Sequence, residues 1–146
     1  MADVMEVAQD NARTRAAQIV ARWLRSGDFP DRLIAPNDPD RAFVMEVVYG
    51  IARRRRTLEW VMKRCVEASP SPRIMAFLFV GLYQLLFMDT VTDYAAVNET
   101  VESVRSVHLK HAVGFVNGVL RRVARERDDL RRILAVEPIG IRESHP

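Results

Sequence analysis

Arginine is the side chain in this sequence with the clearest capacity to bind a ligand, because twenty arginines and only two lysines supply the positive charge. The guanidinium group is a planar fork of donors that matches phosphate oxygens and can also stack on bases. At a formal net charge of +3, this bias indicates a nucleic-acid partner. A genome that favours arginine codons would produce the same bias, so composition alone leaves both explanations open.

The arginines concentrate in three stretches, which are the first predicted helix, the run "RRRR" at 53–56 and the segment "LRRVAR". In the last of these, Arg121 and Arg125 lie one helical turn apart and could contact successive phosphates. Each arginine could instead be solvated or paired with a carboxylate. The candidate carboxylates are Glu99, Glu102, Glu126, Asp128 and Asp129.

Two asparagines occur at helical positions among apolar residues, Asn98 in "AAVNETVE" and Asn117 in "GFVNGVLRR". A buried amide without a hydrogen-bond partner costs about 1–3 kcal/mol, and a helix has already used its own backbone groups. We therefore expect Asn98 and Asn117 to be structural clamps that hold a loop or a neighbouring helix end, rather than ligand contacts. Gly114 and Gly118 beside Asn117 would allow another backbone to approach closely.

Other residues that could support chemistry are few. His108 and His111 are three apart, a spacing that can hold metal, but no cysteine or carboxylate cluster accompanies them, so helix-end capping is the better interpretation. Cys65 lies on an apolar stripe and is predicted to be an inert core residue. The sequence contains no glycine-rich phosphate loop, nucleophile elbow or acid–base pair. We therefore expect no metal, no cofactor and no catalysis from this chain itself.

The elements that position these residues are predicted to be helices throughout. At 146 residues and 49% hydrophobic composition, the chain can bury the core of one domain. In the first helix, over residues 10–25, apolar side chains recur at a spacing of three and four, and Arg15, Arg22 and Arg25 fall on roughly the opposite face. No segment alternates with a period of two, so the predicted fold class is all-α.

The most apolar segment predicts a central helix. It carries no formal charge from Ile74 to Met88, but a bilayer span needs about 20 residues and Gln84 interrupts this one. We therefore predict a buried helix from Pro72 to about Met88, capped by Ser71 and wrapped by the other helices.

The remaining elements are predicted from caps and apolar stripes. A loop rich in proline and aspartate follows the first helix, and its Asp38 or Asp40 would cap the next helix. A later helix begins at Asp93 with Tyr94 facing inward. The last predicted helix is long and runs from about Lys110 to Leu130.

A cytoplasmic location is expected from the same sequence. The single cysteine excludes an intramolecular disulfide, which favours a reducing compartment. The first ten residues begin with acids and lack the basic and apolar regions of a secretory signal. We expect no membrane partner.

Four segments together resemble the NusB-like helical RNA-binding family. They are "VVYGIARRRRTLEWVM", "LFVGLYQLLFMD", "AAVNETVESVR" and "GFVNGVLRRVARE", in the family's order over about residues 11–134. Within the family, "VYG" followed by arginines and "FVNGVLRR" are more similar to the domain that precedes RsmB-type ribosomal RNA cytosine-5 methyltransferases than to the antitermination factor NusB.

The resemblance implies a helical bundle of two packed halves whose arginine-rich surfaces contact RNA, in particular ribosomal RNA. The family's basic first helix matches Arg13 and Arg15, and the basic ends of two of its segments match 53–56 and 121–122. The antitermination factor also pairs with a small-subunit ribosomal protein, which is therefore a second candidate partner. Together with the helix faces described above, the predicted RNA-binding residues are Arg13, Arg15, Arg22, Arg53, Arg54, Arg55, Arg56, Arg121, Arg122 and Arg125.

The resemblance also predicts how the chain is organised. Residues 1–137 would form the helical domain, and residues 138–146 resemble the start of a linker to a methyltransferase domain. The chain would position ribosomal RNA for an enzyme that uses S-adenosylmethionine, without being catalytic itself. Two alternatives stay open, a free-standing antitermination factor that binds RNA with a ribosomal protein, and a protein-binding helical module. Affinity that falls steeply with salt would separate the RNA-binding interpretations from the last.

Overall fold

The structure, a computed structural model, describes residues 11–28 and 30–136. Over these residues it contains α-helices joined by short turns and 3-10 segments and has no strand, which confirms the all-α prediction. The predicted tail at 138–146 lies outside the described residues. The α-helices are α1 (Ala12–Ser26), α2 (Arg41–Arg53), α3 (Arg55–Cys65), α4 (Pro72–Phe87), α5 (Asp93–Ser106), α6 (Val113–Arg125) and α7 (Arg127–Val136).

The central helix is α4, which is buried at every position from Ala76 to Leu86. Its start is the one predicted, because Ser71 Oγ accepts a hydrogen bond from the backbone N–H of Ile74 and Pro72 occupies the first helical position. Helices α1 and α2 pack against each other and against α4, and α5 and α6 do the same, so two halves meet at α4. No helix within the described ranges is long and apolar enough to cross a membrane.

Two glycines set how closely the other helices approach α4. A Cβ atom at Gly50 of α2 would overlap the ring of Tyr83, and one at Gly81 would lie 2.7 Å from Cδ1 of Leu120 on α6. The hydroxyl of Tyr83 donates a hydrogen bond to Glu46 Oε2 at 2.6 Å, which fixes the ring beside Gly50. The glycines of "VYG" and "VGLY" are therefore packing residues.

The long helix predicted at the C-terminal end is interrupted at Glu126. Helix α6 ends at Arg125 and α7 begins at Arg127, and Arg127 NH1 donates to Asp93 Oδ1 at 2.6 Å. Leu130 and Leu134 continue the apolar spacing of α6 and are both buried, so periodicity could not reveal the break. The prediction of a single helix is wrong.

Tyr94 also differs from its prediction, because its side chain is 79% exposed. Its spacing aligns it with Val97 and Val101 on the inward face of α5. The buried residues of α5 begin only at Ala96, however, so the first turn projects past the core. Periodicity identifies a face but not where along the helix the core ends.

Candidate nucleic-acid interface

Arg13, the first of the predicted RNA-binding residues, is directed into the bundle. Its Nε donates to Gln84 Oε1 at 2.8 Å, and its guanidinium lies 5.0 Å from the centroid of the Phe43 ring. Burial lowers the pKa of Arg13, and the nearby carboxylate of Glu99 opposes that shift. Arg13 is thus a half-buried structural contact between α1 and α4.

Gln84 is the buried amide that connects three helices. It is 0% exposed; besides accepting from Arg13, it donates through Nε2 to the backbone oxygen of Val80 at 2.9 Å and to Thr100 Oγ1 at 3.2 Å. The role of Gln84 as a clamp is not among the features predicted from the sequence. A single polar residue inside the most apolar segment was the signal that could have done so.

The clamps predicted at Asn98 and Asn117 are not formed within the described residues. Both side chains are half-buried rather than buried, and neither makes a hydrogen bond in this part of the chain. The predicted burial is wrong because each asparagine lies at the edge of its helix's apolar face, where water can solvate the amide. The predicted close approach at Gly114 and Gly118 is also wrong, since a Cβ atom at either position would have no described atom within 4 Å.

Arg15 is held by the segment that precedes α2. It donates to both carboxylate oxygens of Asp38, at 2.8 and 2.9 Å, and to Asp40 Oδ2 at 2.8 Å. The hydrogen bond from Arg15 is the main reason that the pKa of Asp38 is lowered. Asp40, one of the two residues predicted to cap α2, occupies its N-cap position, but the side chain makes no capping hydrogen bond. Arg22, by contrast, is exposed and has no ion pair within the described ranges.

The run of four arginines lies at the junction between α2 and α3, and its side chains have different surroundings. Arg53 and Arg56 are exposed and have no ion pair among the residues described. Arg54 lies over the Phe87 ring, 4.2 Å from its centroid. Arg55 donates to Glu59 Oε2 at 3.0 Å. Two of the four guanidinium groups are thus fully available to a ligand.

The outer face of α6 carries a second set of available arginines. Arg121 and Arg125 are exposed and unpaired over the described part of the chain, whereas Arg122 donates to Glu126 Oε2 at 3.4 Å. Gly114 and Gly118 share the helix face of Arg121 and Arg125, and a Cβ atom at either glycine would have no described atom within 4 Å.

The weaker candidates are not brought together into a site. Within the described residues, no group of three or more potential metal ligands occurs, and His108 and His111 are both exposed. Cys65 is half-buried, and burial raises the pKa of its thiol. A raised pKa keeps the thiol protonated at neutral pH. The prediction that Cys65 is a core residue is wrong, because it is only partly buried and packs against the core from outside.

Comparison with known proteins identifies the family. The family model described as the NusB family matches residues 10–125. The chain belongs to the NusB family. This NusB-family chain is 36% identical over 110 residues to the probable ribosomal RNA small subunit methyltransferase B of Synechocystis sp., covering 73% of the chain and 25% of the relative. It is 30% identical over 130 residues to ribosomal RNA small subunit methyltransferase B of Escherichia coli, covering 84% of the chain and 30% of that relative. The family recognised from the sequence is confirmed.

Two boundaries follow from these matches. The NusB-family chain spans only 25–30% of the length of the two methyltransferases. The family match ends at Arg125, the last residue of α6, so α7 lies beyond the matched range.

Proposed function

We propose that this NusB-family chain binds RNA and positions ribosomal RNA for an RsmB-type cytosine-5 methyltransferase, with the chemistry carried elsewhere. The observation that supports RNA binding is the set of exposed arginines without an ion pair in the described residues. Six of them lie on α1, at the α2–α3 junction and on α6, namely Arg22, Arg25, Arg53, Arg56, Arg121 and Arg125. Arg32, Arg41 and Arg73, outside these three stretches, are also exposed and have no ion pair in the described residues.

Phosphate is the ligand group that such arginines suit best. A solvated guanidinium can exchange water for a phosphate oxygen without breaking an existing ion pair, and each neutralised phosphate releases counterions. Arginines already held by Asp38, Glu59 or Glu126 would first have to leave a carboxylate. The proposal therefore assigns RNA contact first to the unpaired set, and only secondarily to Arg15, Arg55 and Arg122.

The methyltransferase part of the proposal rests on the relatives. Both are named ribosomal RNA small subunit methyltransferase B, which favours this role over that of a free-standing antitermination factor. An RsmB-type enzyme, by resemblance, uses a nucleophilic cysteine, whereas the only cysteine of this chain has a thiol pKa raised by burial. We propose that S-adenosylmethionine binds outside this chain and that residues 138–146 begin a linker. A ribosomal RNA ligand would also agree with a cytoplasmic location.

A titration of ribosomal RNA fragments by fluorescence anisotropy tests the proposal. Affinity should fall steeply between salt concentrations of about 50 and 200 mM, because released counterions drive the binding. Binding that does not respond to salt, or no binding, would favour the protein-binding alternative. Calorimetry with S-adenosylmethionine should show no heat of binding, and a measurable affinity would contradict the non-catalytic part of the proposal.

A further inference from the structure

Helix α7 contributes the fewest side chains to the core among the α-helices of the described residues. Only two of its ten residues, Leu130 and Leu134, are buried, and Val136 at its end is 79% exposed. The central helix α4, by contrast, is buried at every position from Ala76 to Leu86. Few buried apolar contacts are typical of a segment that opens while the rest of a protein stays folded.

The ion pairs that hold α7 lie close to solvent. Arg127 NH1 donates to Asp93 Oδ1 at 2.6 Å, and Arg131 NH1 donates to Asp89 Oδ1 at 2.9 Å. The side chain of Asp89 is 85% exposed and that of Asp93 is 38% exposed, so water and salt screen both pairs. Arg131 NH2 also donates to the backbone oxygen of Leu85 at 3.0 Å. These contacts orient α7 but contribute little to the free energy that keeps it docked.

Docking of α7 also buries two donors that lack an acceptor. The Nε atoms of Arg127 and Arg131 are inaccessible to solvent and make no hydrogen bond within the described part of the chain. Water would hydrate both atoms if α7 left the bundle, whereas burial removes that water and supplies no protein acceptor in its place. The two guanidinium groups therefore oppose the docking that their ion pairs favour.

Helix α7 is supported from one side. It packs against the end of α4 and against α6. Toward α3, a groove of about 320 Å³ lies between Leu134 and Ala135 of α7 and Arg54 and Thr57 at the start of α3. Because this groove separates α7 from α3, α7 can leave the bundle without displacing α3.

The backbone at Glu126 provides a boundary for such an opening. Helix α6 ends at Arg125, and α7 begins at Arg127. The backbone N–H of Glu126 donates to the carbonyl oxygens of Arg122 and Val123, at 3.1 and 3.0 Å, which closes α6 without a contribution from α7. The family match also ends at Arg125. Helix α6 can therefore keep its backbone hydrogen bonds when α7 opens.

We propose that α7 is a hinged strap that opens from the bundle at Glu126 as a separate unit, while α1–α6 remain folded. A helix of ten residues is too short to persist alone in water, so the strap unwinds as it opens. Ten residues span about 15 Å as a helix and up to about 33 Å as an extended chain. Opening therefore lengthens the connection between the bundle and residues 137–146, which follow α7 in the sequence.

The use of this strap rests on the proposed function. If the bundle positions RNA for chemistry that is carried elsewhere, the part of the protein that follows α7 must reach RNA held on α1–α6. A closed strap fixes the point from which it reaches. An open strap adds up to about 18 Å of chain, so the distance between the bound RNA and the following segment can be adjusted.

Hydrogen–deuterium exchange of the whole chain, followed by mass spectrometry, tests the opening without RNA. Each segment is compared with an unfolded peptide of the same sequence. The amides of α7 should be protected at least about a hundredfold less than those of α4, because α4 exchanges only when the whole fold opens. Equal protection of α7 and α4 would overturn the strap.

Leu134→Ala and Leu109→Ala form a matched pair of variants. Leu134 is 7% exposed on α7, and Leu109 is 6% exposed before the start of α6, at the opposite end of that helix from α7. Leu134→Ala weakens docking and should speed exchange of α7 at least about tenfold. Leu109→Ala should speed exchange of α4 by a similar factor and leave that of α7 unchanged, because α7 opens before the fold does.

The same comparison is available in the wild type if Leu109→Ala does not fold. Urea below the unfolding transition should speed exchange of α4 but not that of α7, because a local opening exposes little surface. Equal acceleration of α7 and α4, by Leu109→Ala or by urea, would show that α7 unfolds only with the bundle, and the strap would be overturned.

The lengthening is measured by electron paramagnetic resonance between spin labels. They are attached to Gln18→Cys on α1 and Val136→Cys on α7, two exposed positions, in a Cys65→Ser background. The pair should show one narrow distance distribution, and adding Leu134→Ala should give a broad component that extends to longer distances. A narrow distribution that Leu134→Ala does not change would overturn the lengthening.

The outcomes also separate the strap from the proposed function. Exchange and spin-label distances need no RNA, so α7 can prove to be a fixed part of the bundle while the chain still binds RNA; the strap is then overturned and the proposed function stands. If α7 opens locally but the RNA titration shows no binding, the proposed function is overturned, together with the use assigned to the strap.

Discussion

Arg13 Nε donates to Gln84 Oε1 at 2.8 Å and so joins α1 to the central helix across 71 positions of sequence. From sequence, Arg13 is predicted to contact RNA, and Gln84 stands out only as an interruption of an apolar segment. Through this contact the half-buried guanidinium of Arg13 gains a hydrogen-bond acceptor, and the buried amide of Gln84 gains a donor.

Replacing Gln84 with leucine should lower the free energy of unfolding by about 1–3 kcal/mol, because Arg13 would lose its acceptor. Asn117→Leu is the matched control. Its amide is half-buried and makes no hydrogen bond within the described residues, so its effect should stay within about 0.5 kcal/mol. Urea denaturation measures both. Equal losses in the two variants would show that Asn117 does hold a partner and that the assignment of the clamp to Gln84 is incomplete.

The glycines of α2 and α6 should respond oppositely to alanine. Gly50→Ala forces a methyl group against the Tyr83 ring and should destabilise the fold by about 1–3 kcal/mol. Gly118→Ala adds a methyl group where no described atom lies within 4 Å, and it should stabilise the exposed face of α6 by about 0.5–1 kcal/mol. Melting temperatures of the two variants give the comparison, and a rise for Gly50→Ala would contradict the packing described here.

The exposed arginines of α6 should control the salt dependence of RNA binding. Replacing Arg121 and Arg125 together with glutamine should flatten the slope of log affinity against log salt, by about 0.7 for each lost contact to a single strand. Arg105→Gln is the control, because Arg105 is paired with Glu102 at 2.8 Å on α5. An unchanged slope in the double variant would show that Arg121 and Arg125 do not contact RNA, and the proposed contacts would then be limited to α1 and the α2–α3 junction.

The features that could be predicted from the sequence are those set by residues close to one another along the chain. The apolar segment around Leu82 and the Ser71–Pro72 start correctly placed the central helix, because burial pattern and capping are local properties. The partners of the arginines could not be predicted in the same way. Arg15 contacts Asp38 only after the chain has folded back. Arg122 is paired with Glu126, whereas Arg121, its neighbour in sequence, has no ion pair with the residues that the structure describes. Which arginines remain available to RNA is therefore a property of the tertiary structure.

Tyr83 should make stability depend on pH in the alkaline range. Burial, and then the hydrogen bond to Glu46, raises the pKa of Tyr83 to about 12 from its ordinary value of 10.0. In the unfolded chain the hydroxyl of Tyr83 ionises at a lower pH than it does in the folded protein. The stabilisation from neutral Tyr83 is therefore fully present below about pH 10 and is lost as the pH rises through about 12.

Denaturant titrations at pH 9, 10 and 11 should therefore show the free energy of unfolding falling with pH in the wild type. The fall should be smaller in Tyr83→Phe, whereas Tyr94→Phe, at a tyrosine that is 79% exposed, should behave like the wild type. If the free energy of unfolding falls with pH as steeply in Tyr83→Phe as in the wild type, other groups cause the fall and the buried hydroxyl beside Glu46 does not.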